Sequence, residues 1–538
     1  MAGDDGSATP PTAGSGRSPG AARTDGGAST PAYRLPPPGA TPTRVLAVSG
    51  ETAGASPAET LAAVDDRLDP DRVLAVPPKP SQVVPLAGRA LSTPVITRTG
   101  VRVEMFASPA TGVALVVPPN VEELSASPAE TLDREGLPET PSGSADEWGV
   151  HLVSDRLALE VDRHDRSATV RGVEAYLNAV GEGWTGDAVT HLSTALRPGY
   201  ETTVEARDET VRVVGVGESR ARLGAAVREG DPAVARLDLY ANGVVDAASV
   251  TPTEFGLRSL RGVGRSRAET LREAGYTTVE EVAAARTREL ASHDGVGTTA
   301  AAEIRTRAEA RATGTVRPIE DRSLPDGDPV YVDLETDGLA PTTAWLIGVL
   351  DGDPEDGDYM AFRQRDPTDR RTHLTAFLDW LTGAQADRPV VAYNGLGFDF
   401  PTLRRLVQEH CPAYRDAWES VYTFDPYHWA VTEGNAALPG RTDRLEDVAT
   451  ALGWRPFTRG VDGRRVAEVW VEWEQAVLEA SDPSAVADPD WERLEAYCED
   501  DVRALATVYE ALNDAVRLET ASTPTGSDTA QGSLGDFT

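Results

Sequence analysis

Residues 331–339 read YVDLETDGL. An apolar start, Tyr331 and Val332, runs into Asp333 and Glu335 with Leu334 between them. Side chains of an extended strand alternate faces, so the two acids point the same way. Two carboxylates on one strand face repel each other unless a positive charge lies between them. Mg²⁺ and Mn²⁺ supply such a charge, because they prefer hard oxygen ligands. The alternative is a half-exposed edge strand whose polar face is acidic, an ordinary feature of a chain rich in Asp and Glu. These nine residues leave both readings open.

The chain has 538 residues, enough for about three or four domains with cores of their own. Its formal charge of −35 and pI near 4.6 oppose the basic footprint usual in nucleic-acid-binding proteins. Lys79 is the only lysine, and every other cationic side chain outside histidine is arginine. Strong acidity, scarce lysine and plentiful Ala and Gly resemble the halophilic composition of proteins adapted to molar salt. At about 1 M salt the Debye length is only about 3 Å, so an acidic surface does not repel a phosphate backbone at a distance. Net charge therefore does not exclude a nucleic-acid partner. Cys411 and Cys498 have no metal-type spacing and imply no disulfide framework. The sequence has neither an apolar run of 18 residues nor an N-terminal signal core, so a soluble, cytoplasmic protein without membrane contact is expected.

Residues 1–41 and 519–538 are rich in small and polar residues and are expected to be disordered. An α/β unit is expected over 42–128, with strands at RVLAVS (44–49) and VLAV (73–76), and a hairpin joining VRVEMFA (101–107) to GVALVV (112–117). The heptapeptide ASPAETL occurs at 55–61 and again at 126–132. It reads as a reused helix start with a Ser N-cap and a capping-box Glu. Residues 129–147 read as a linker, and 148–250 as a second mixed α/β unit. In the second unit, 201–216 gives two strands, and 237–250 a hairpin turning at Asn242-Gly243. Gly215-Val216-Gly217 lacks the third glycine of a phosphate loop and is taken as a tight turn. The function of 42–250 is not readable.

Residues 255–314 differ in character. Gly262-Val263-Gly264 and Gly295-Val296-Gly297, 33 residues apart, each stand between short amphipathic helices. Residues 257–312 hold ten arginines and eight acids, a local excess of positive charge. A Gly-x-Gly turn permits close approach, and main-chain N–H groups at a helix N-terminus suit a phosphate. The candidate nucleic-acid contacts are Gly262, Gly264, Arg265, Arg267, Gly295, Gly297 and Thr298. The alternative is a helical packing or protein-interaction unit. The pattern resembles a tandem helix-hairpin-helix module, which implies sequence-independent grip of a nucleic-acid backbone, with DNA favoured over RNA.

The segment 326–516 carries two further motifs after YVDLETDGL. In 388–408, RPVVAYNGLGFDFPTLRRLVQ, a buried strand breaks at Asn394-Gly395 and presents Phe398-Asp399 before a helix. An N-cap role for Asp399 is the alternative there. In 491–505, WERLEAYCEDDVRAL, Tyr497 and Asp501 are four apart on one helix face. Asp500 competes with Asp501 for the same role, and the four-residue spacing from Tyr497 favours Asp501.

In this order the three motifs resemble the DEDD 3′–5′ exonucleases of the tyrosine type, and the YNG–FD form with LEDVATALGW (445–454) is most similar to the YprB-like members. The resemblance implies a ribonuclease-H-like mixed sheet flanked by helices. It also implies a two-metal site for Mg²⁺ or Mn²⁺ at Asp333, Glu335, Asp399 and Asp501, which clamps the attacking and leaving oxygens of a phosphodiester. Tyr497 would orient or help deprotonate the attacking water. Asn394 would shape its loop, Leu339 and Phe398 would pack on the terminal base, and Asp425 would support the site from behind. The implied protein is an exonuclease of DNA repair or end processing. A structure-specific endonuclease and a non-catalytic nucleic-acid-binding protein are the alternatives.

Overall fold

A computed structural model describes residues 35–522, apart from 99, 101, 125–126, 135–147, 163–166, 181–182, 186–188, 207–208, 218–232, 386 and 459. Most of the expected disordered ends and linker lie outside the described residues.

Two stacked sheets form the N-terminal body. The first has the strand order Val245–Val250, Val234–Leu239, Thr43–Ser49, Arg72–Val76, Val95–Thr97. The second has the order Glu201–Ala206, Glu209–Gly215, Val189–Ser193, Gly149–Ser154, Val113–Val117, Glu104–Ser108. Between them Val45, Ala47, Leu74 and Val76 meet Val113, Leu115, Val117 and Leu192. Their sequence neighbours point outward. Leu46, Val48, Val73 and Ala75 pack with Leu61 and Val64 of the helix Ala58–Leu68. Ala114, Val116, Leu152 and Val213 pack with Tyr176 of the helix Val173–Ala179. Both faces of each sheet are buried, so these strands read as continuous apolar runs.

The expected division into units at 42–128 and 148–250 is corrected by this pairing. Thr43–Ser49 lies antiparallel to Val234–Leu239, and Val113–Val117 parallel to Gly149–Ser154. A strand apolar on both faces carries no mark of its partner, so chain order is a poor guide to which strands meet. The expected hairpins at 101–117, 201–216 and 237–250 are present as antiparallel pairs. Gly215 and Gly217 are needed for close packing: a Cβ would lie 2.0 Å from the Arg197 carbonyl oxygen and 2.1 Å from that of Thr194. The repeated heptapeptide behaves differently in its two copies. Ser127 and Glu130 exchange capping-box hydrogen bonds at 3.3 and 3.2 Å. In the first copy Pro57 takes the cap position with no side-chain bond, and Glu59 pairs with Arg272 at 3.0 Å.

Residues 257–313 form a helical module with its own core, in which Leu257, Leu271, Val282, Leu290, Ile304 and Ala308 are buried. Val263 and Val296, the middle residues of the two glycine turns, are anchored in that core. The module bridges the other two bodies. Arg67–Glu280 at 3.0 Å joins it to the N-terminal body, and the Arg261 guanidinium donates to the Val431 carbonyl of the C-terminal domain.

The C-terminal sheet has the order Asp358–Arg363, Ala344–Asp351, Val330–Thr336, Val390–Val391, Thr423–Phe424. Its first two pairings are antiparallel and its last two parallel. Val330, Val332 and Leu334 face the helices Thr372–Ala384 and Asp399–His410 through Leu374, Phe377, Leu403 and Val407. Tyr331 points the other way, onto Val502, Leu505 and Tyr509 of the helix Trp491–Ser522. Asp333 and Glu335 share the face of Tyr331 by strand alternation. The fold is the expected mixed sheet with helices on both faces.

Candidate active site

Asp333 pairs across the sheet with Gly348, so one carboxylate faces a neighbour without a side chain. That gap admits the helix Trp491–Ser522, because a Cβ on Gly348 would lie 2.4 Å from Cys498 Sγ. The start of the helix is fixed by indoles. Trp345 stacks on Trp470 with centroids 5.1 Å apart, and Trp491 meets Trp473 edge-on at 4.9 Å. Tyr497, Cys498 and Asp501 follow within three turns, and spacings of three and four residues put Asp501 on the same side as both.

Asp399 arrives from the opposite layer. The chain leaves the short strand Val390–Val391 through Asn394, whose φ of 57° is left-handed. The Asn394 carbonyl accepts from the N–H groups of Gly397 and Phe398 at 2.9 and 3.1 Å. Asp425, buried at the end of the next strand, accepts from the N–H groups of Asn394, Leu396 and His428 at 3.0, 3.1 and 3.1 Å. The loop is thus held from below, and Asp399 opens the helix as its first residue with Phe398 at the cap. Asp500 has an equally definite place: its carboxylate accepts from the N–H groups of Phe457 and Thr458 at 2.8 and 2.7 Å. It ties down a loop, while Asp501 faces the cluster.

The electrostatics are one-sided. Burial, and next the Asp333 charge, push Glu335 well above the carboxylate range, with Asp501 and Asp399 adding to the shift. Asp399 is raised by burial and then by Asp333. Asp501 is raised by burial, Asp333 and Glu446, against a hydrogen bond from the Tyr497 hydroxyl. Asp333 is pushed up to about 6 by burial, against hydrogen bonds from the Cys498 thiol and the Leu334 N–H. Among the described residues, no arginine or lysine figures among these influences. Glu335 Oε1 is buried with no hydrogen-bond partner. Uncompensated buried carboxylates are costly, and a set of acid donors without a cation is the donor chemistry of a divalent-metal site. Tyr497 is raised well above its usual value by burial and by Asp501, so its hydroxyl keeps its proton at neutral pH.

Two residues in this cleft have no place in the sequence reading. Cys498 Sγ lies 3.7 Å from Asp333 Oδ2, and a donor atom each of Asp333, Glu335 and Cys498 lies within 4.8 Å of the others. Its signal was the three-residue spacing to Asp501. Glu446, in the first turn of the helix Leu445–Ala451, acts by its charge on both Asp501 and Tyr497. Nothing local in LEDVATA distinguishes it from a solvated acid.

Around the cluster Leu339 is 96% exposed and Phe457 65% exposed, with Leu396 at 49%. Phe398 is half-buried. Leu339 stands three residues beyond the strand that carries Glu335.

In the helical module Gly262 and Gly295 have φ of 91° and 77°, left-handed values that favour glycine. Gly264 and Gly297 cap the helices Arg265–Glu273 and Thr298–Thr313 without a side-chain bond. The first N–H groups of both helices therefore have no side-chain acceptor. Gly262, Gly264, Arg265, Gly295, Gly297 and Thr298 are all exposed. Arg267 differs from the expectation. Its Nε donates to the Gly295 carbonyl at 2.9 Å and its Nη1 to the Gly262 carbonyl at 2.6 Å. Two of its nitrogens are thus engaged inside the module, where they lock one hairpin to the other.

Comparison with known proteins divides the chain in the same way. Residues 330–513 match the family model of the RNase H superfamily, and residues 256–310 that of the SAM-like helix-hairpin-helix tandem. The C-terminal domain is thus an RNase H-superfamily domain, preceded by a tandem helix-hairpin-helix module. No curated protein matches the chain. One similar solved structure is E. coli exonuclease I in complex with a dA16 oligonucleotide, at 16% identity and a TM-score of 0.19. The match covers 32% of this chain and 43% of that one, so the chain spans less than half the length of that relative. Another is a single mutant of Vps29 from Entamoeba histolytica, at 12% identity and a TM-score of 0.17, covering 39% of this chain and 98% of that one. Among the described residues no helix is long and apolar enough to cross a membrane.

Proposed function

We propose that the chain is a divalent-metal-dependent 3′–5′ exonuclease of the tyrosine-type DEDD class, YprB-like in its motifs, with DNA as the favoured polymer. One observation carries the reading: four carboxylates, from the sheet and from helices on both of its faces, form one cluster in which burial raises all four, the Asp333 charge raises the other three, and among the described residues no arginine or lysine figures among the influences. Asp333, Glu335, Asp399 and Asp501 would hold Mg²⁺ or Mn²⁺, which when bound would polarise the phosphoryl oxygen and make a water nucleophilic at neutral pH. Tyr497, held protonated and bonded to Asp501, orients by donating a hydrogen bond, which argues against a role as base. Leu339 and Phe398 offer apolar surface on which a terminal base can stack. The glycine-capped helices of the preceding module take the phosphate backbone and bring strand ends to the cleft. A setting in DNA repair or end processing follows from that pairing of activities.

The test is mononucleotide release from 3′-labelled single and double strands, with Mn²⁺ in about molar KCl and a closed circular strand alongside. Release from the labelled ends with the circle intact is the expected result. Cleavage of the circle would replace the exonuclease reading with an endonuclease one.

A further inference from the structure

Cys498 gives the acid cluster a donor of a different kind. Its sulfur lies 3.7 Å from Asp333 Oδ2, and its three-residue group with Asp333 and Glu335 keeps all donors within 4.8 Å. A tetrahedral ion with bonds of about 2.3 Å to sulfur and about 2.0 Å to oxygen needs its S and O donors about 3.5 Å apart. The observed separation is close to that. A second observation points to a ligand at the same place. Glu335 is only 5% exposed, and its Oε1 has no hydrogen-bond partner. A hard-ion site has no use for a thiol, because soft sulfur ligands favour Zn²⁺-class ions over Mg²⁺.

We propose that Asp333, Glu335 and Cys498 form a thiophilic-metal site: Zn²⁺ or Cd²⁺ binds there through two carboxylate oxygens and the sulfur, and displaces the hard ion from the Asp333–Glu335 pair. Binding breaks the S–H bond and forms the metal–sulfur bond, and the proton leaves to solvent. Mg²⁺-driven turnover is then shut off by traces of soft metal. The inference rests on the metal-site reading of Asp333 and Glu335.

Cd²⁺ is the probe, because its thiolate complex absorbs in the ultraviolet. The full chain carrying Cys411→Ser is stripped of metal and titrated. Cys411 is hydrogen-bonded to Thr375 at 3.4 Å, outside the cluster, so Cys498 is then the only thiol. A thiolate-to-cadmium band reaching its plateau at one ion per chain is expected. Adding Cys498→Ser, or Cys498→Ala, removes the band and lowers the preference for Cd²⁺ over Mn²⁺ by about tenfold or more. Glu335→Gln weakens Cd²⁺ binding with the band still present at saturation. If Cys411→Ser fails to fold, the wild-type chain and its Cys498→Ser variant give the same comparison. A chain saturated with Cd²⁺ that shows no thiolate band overturns the proposal, as does a band whose Cd²⁺ affinity is indifferent to Glu335→Gln. A nuclease assay with Mg²⁺ on the same metal-stripped protein, run before any Cd²⁺ is added, separates the two readings, since loss of release after Cd²⁺ is bound is expected from the site itself. A band in a chain that releases no nucleotide leaves this site standing and removes the exonuclease. Nucleotide release with no band does the reverse.

Discussion

Asp238 and Asp246 stand opposite each other on adjacent strands of the N-terminal body, much as Asp333 and Glu335 stand side by side in the C-terminal domain. In the first place every acid has a guanidinium. Arg44 holds Asp238 through two nitrogens at 2.7 and 3.0 Å, and Arg236 holds Asp246 at 2.7 Å. In the second place the acids are surrounded by more acids. Both clusters belong to a chain with 86 acidic residues, so acidity in itself marks nothing. What distinguishes the catalytic candidate is that, among the described residues, no arginine or lysine figures among the influences on its carboxylates. The N-terminal cluster has its cations within the chain; under the proposed function the C-terminal one takes its cation from solution.

The sharpest way to break this comparison is to neutralise one acid in each cluster. Asp399→Asn is expected to lower nucleotide release by about a thousandfold or more, since a ligand to the reacting centre is lost. Asp246→Asn is expected to leave turnover within about twofold. Equal losses from both would remove the distinction.

Stability should respond in the opposite sense. Asp238→Ala strands Arg44 and is expected to cost about 2 kcal/mol in urea unfolding of the metal-free chain. Glu335→Gln removes a repelled charge and is expected to raise metal-free stability by about 1 kcal/mol. Gly348→Ala pushes a methyl group toward Cys498 and should cost about 1–3 kcal/mol, with loss of activity as the helix is displaced from Asp333.

A smaller effect follows from the raised acid. Asp333 has its usual value near 3.8 in the unfolded chain and about 6 in the folded one. The folded state therefore favours the protonated carboxyl, and that contribution is full below about pH 4 and lost as the pH rises through about 6. Bound Mn²⁺ compensates the ionised form. The thermal shift produced by Mn²⁺ should accordingly grow between about pH 4 and pH 7, and a shift that shrinks over that range contradicts the site. The smallest effect concerns the helical module. Arg265→Ala should lower the slope of log affinity for duplex DNA against log salt by about 0.9, the signature of one lost phosphate contact. Arg267→Ala, which frees one hairpin from the other, should weaken binding at every salt concentration and leave that slope unchanged.

Much of the candidate site was legible because it rests on short-range rules. The alternation of Tyr331, Asp333 and Glu335, the turn at Asn394-Gly395, the spacing of Tyr497 to Asp501 and the paired glycine turns all act within a few residues. The choice between Asp500 and Asp501 was legible for the same reason, through helical spacing, and the structure gives Asp500 a separate task at Phe457 and Thr458. Other features depend on contacts between distant segments. Strands buried on both faces give no hint of their neighbours, so the interleaving of Thr43–Ser49 with Val234–Leu239 had no sequence signal. Arg267 follows a glycine turn as a phosphate ligand would, yet it reaches a carbonyl 28 residues away. Cys498 was hidden by its type: its three-residue spacing to Asp501 puts it on the same helix face, but a lone cysteine among acids matches no metal-type pattern.

The central claim is that the unpaired carboxylates are metal ligands, and calorimetric titration of the full metal-free chain with Mn²⁺ in about molar KCl tests it most directly. Saturable binding of two ions per chain is predicted for the wild type, abolished or reduced to one weak ion by Asp399→Asn and unaffected by Asp246→Asn. Absence of Mn²⁺ binding in the folded wild-type chain, or binding that Asp399→Asn leaves intact, would contradict the account.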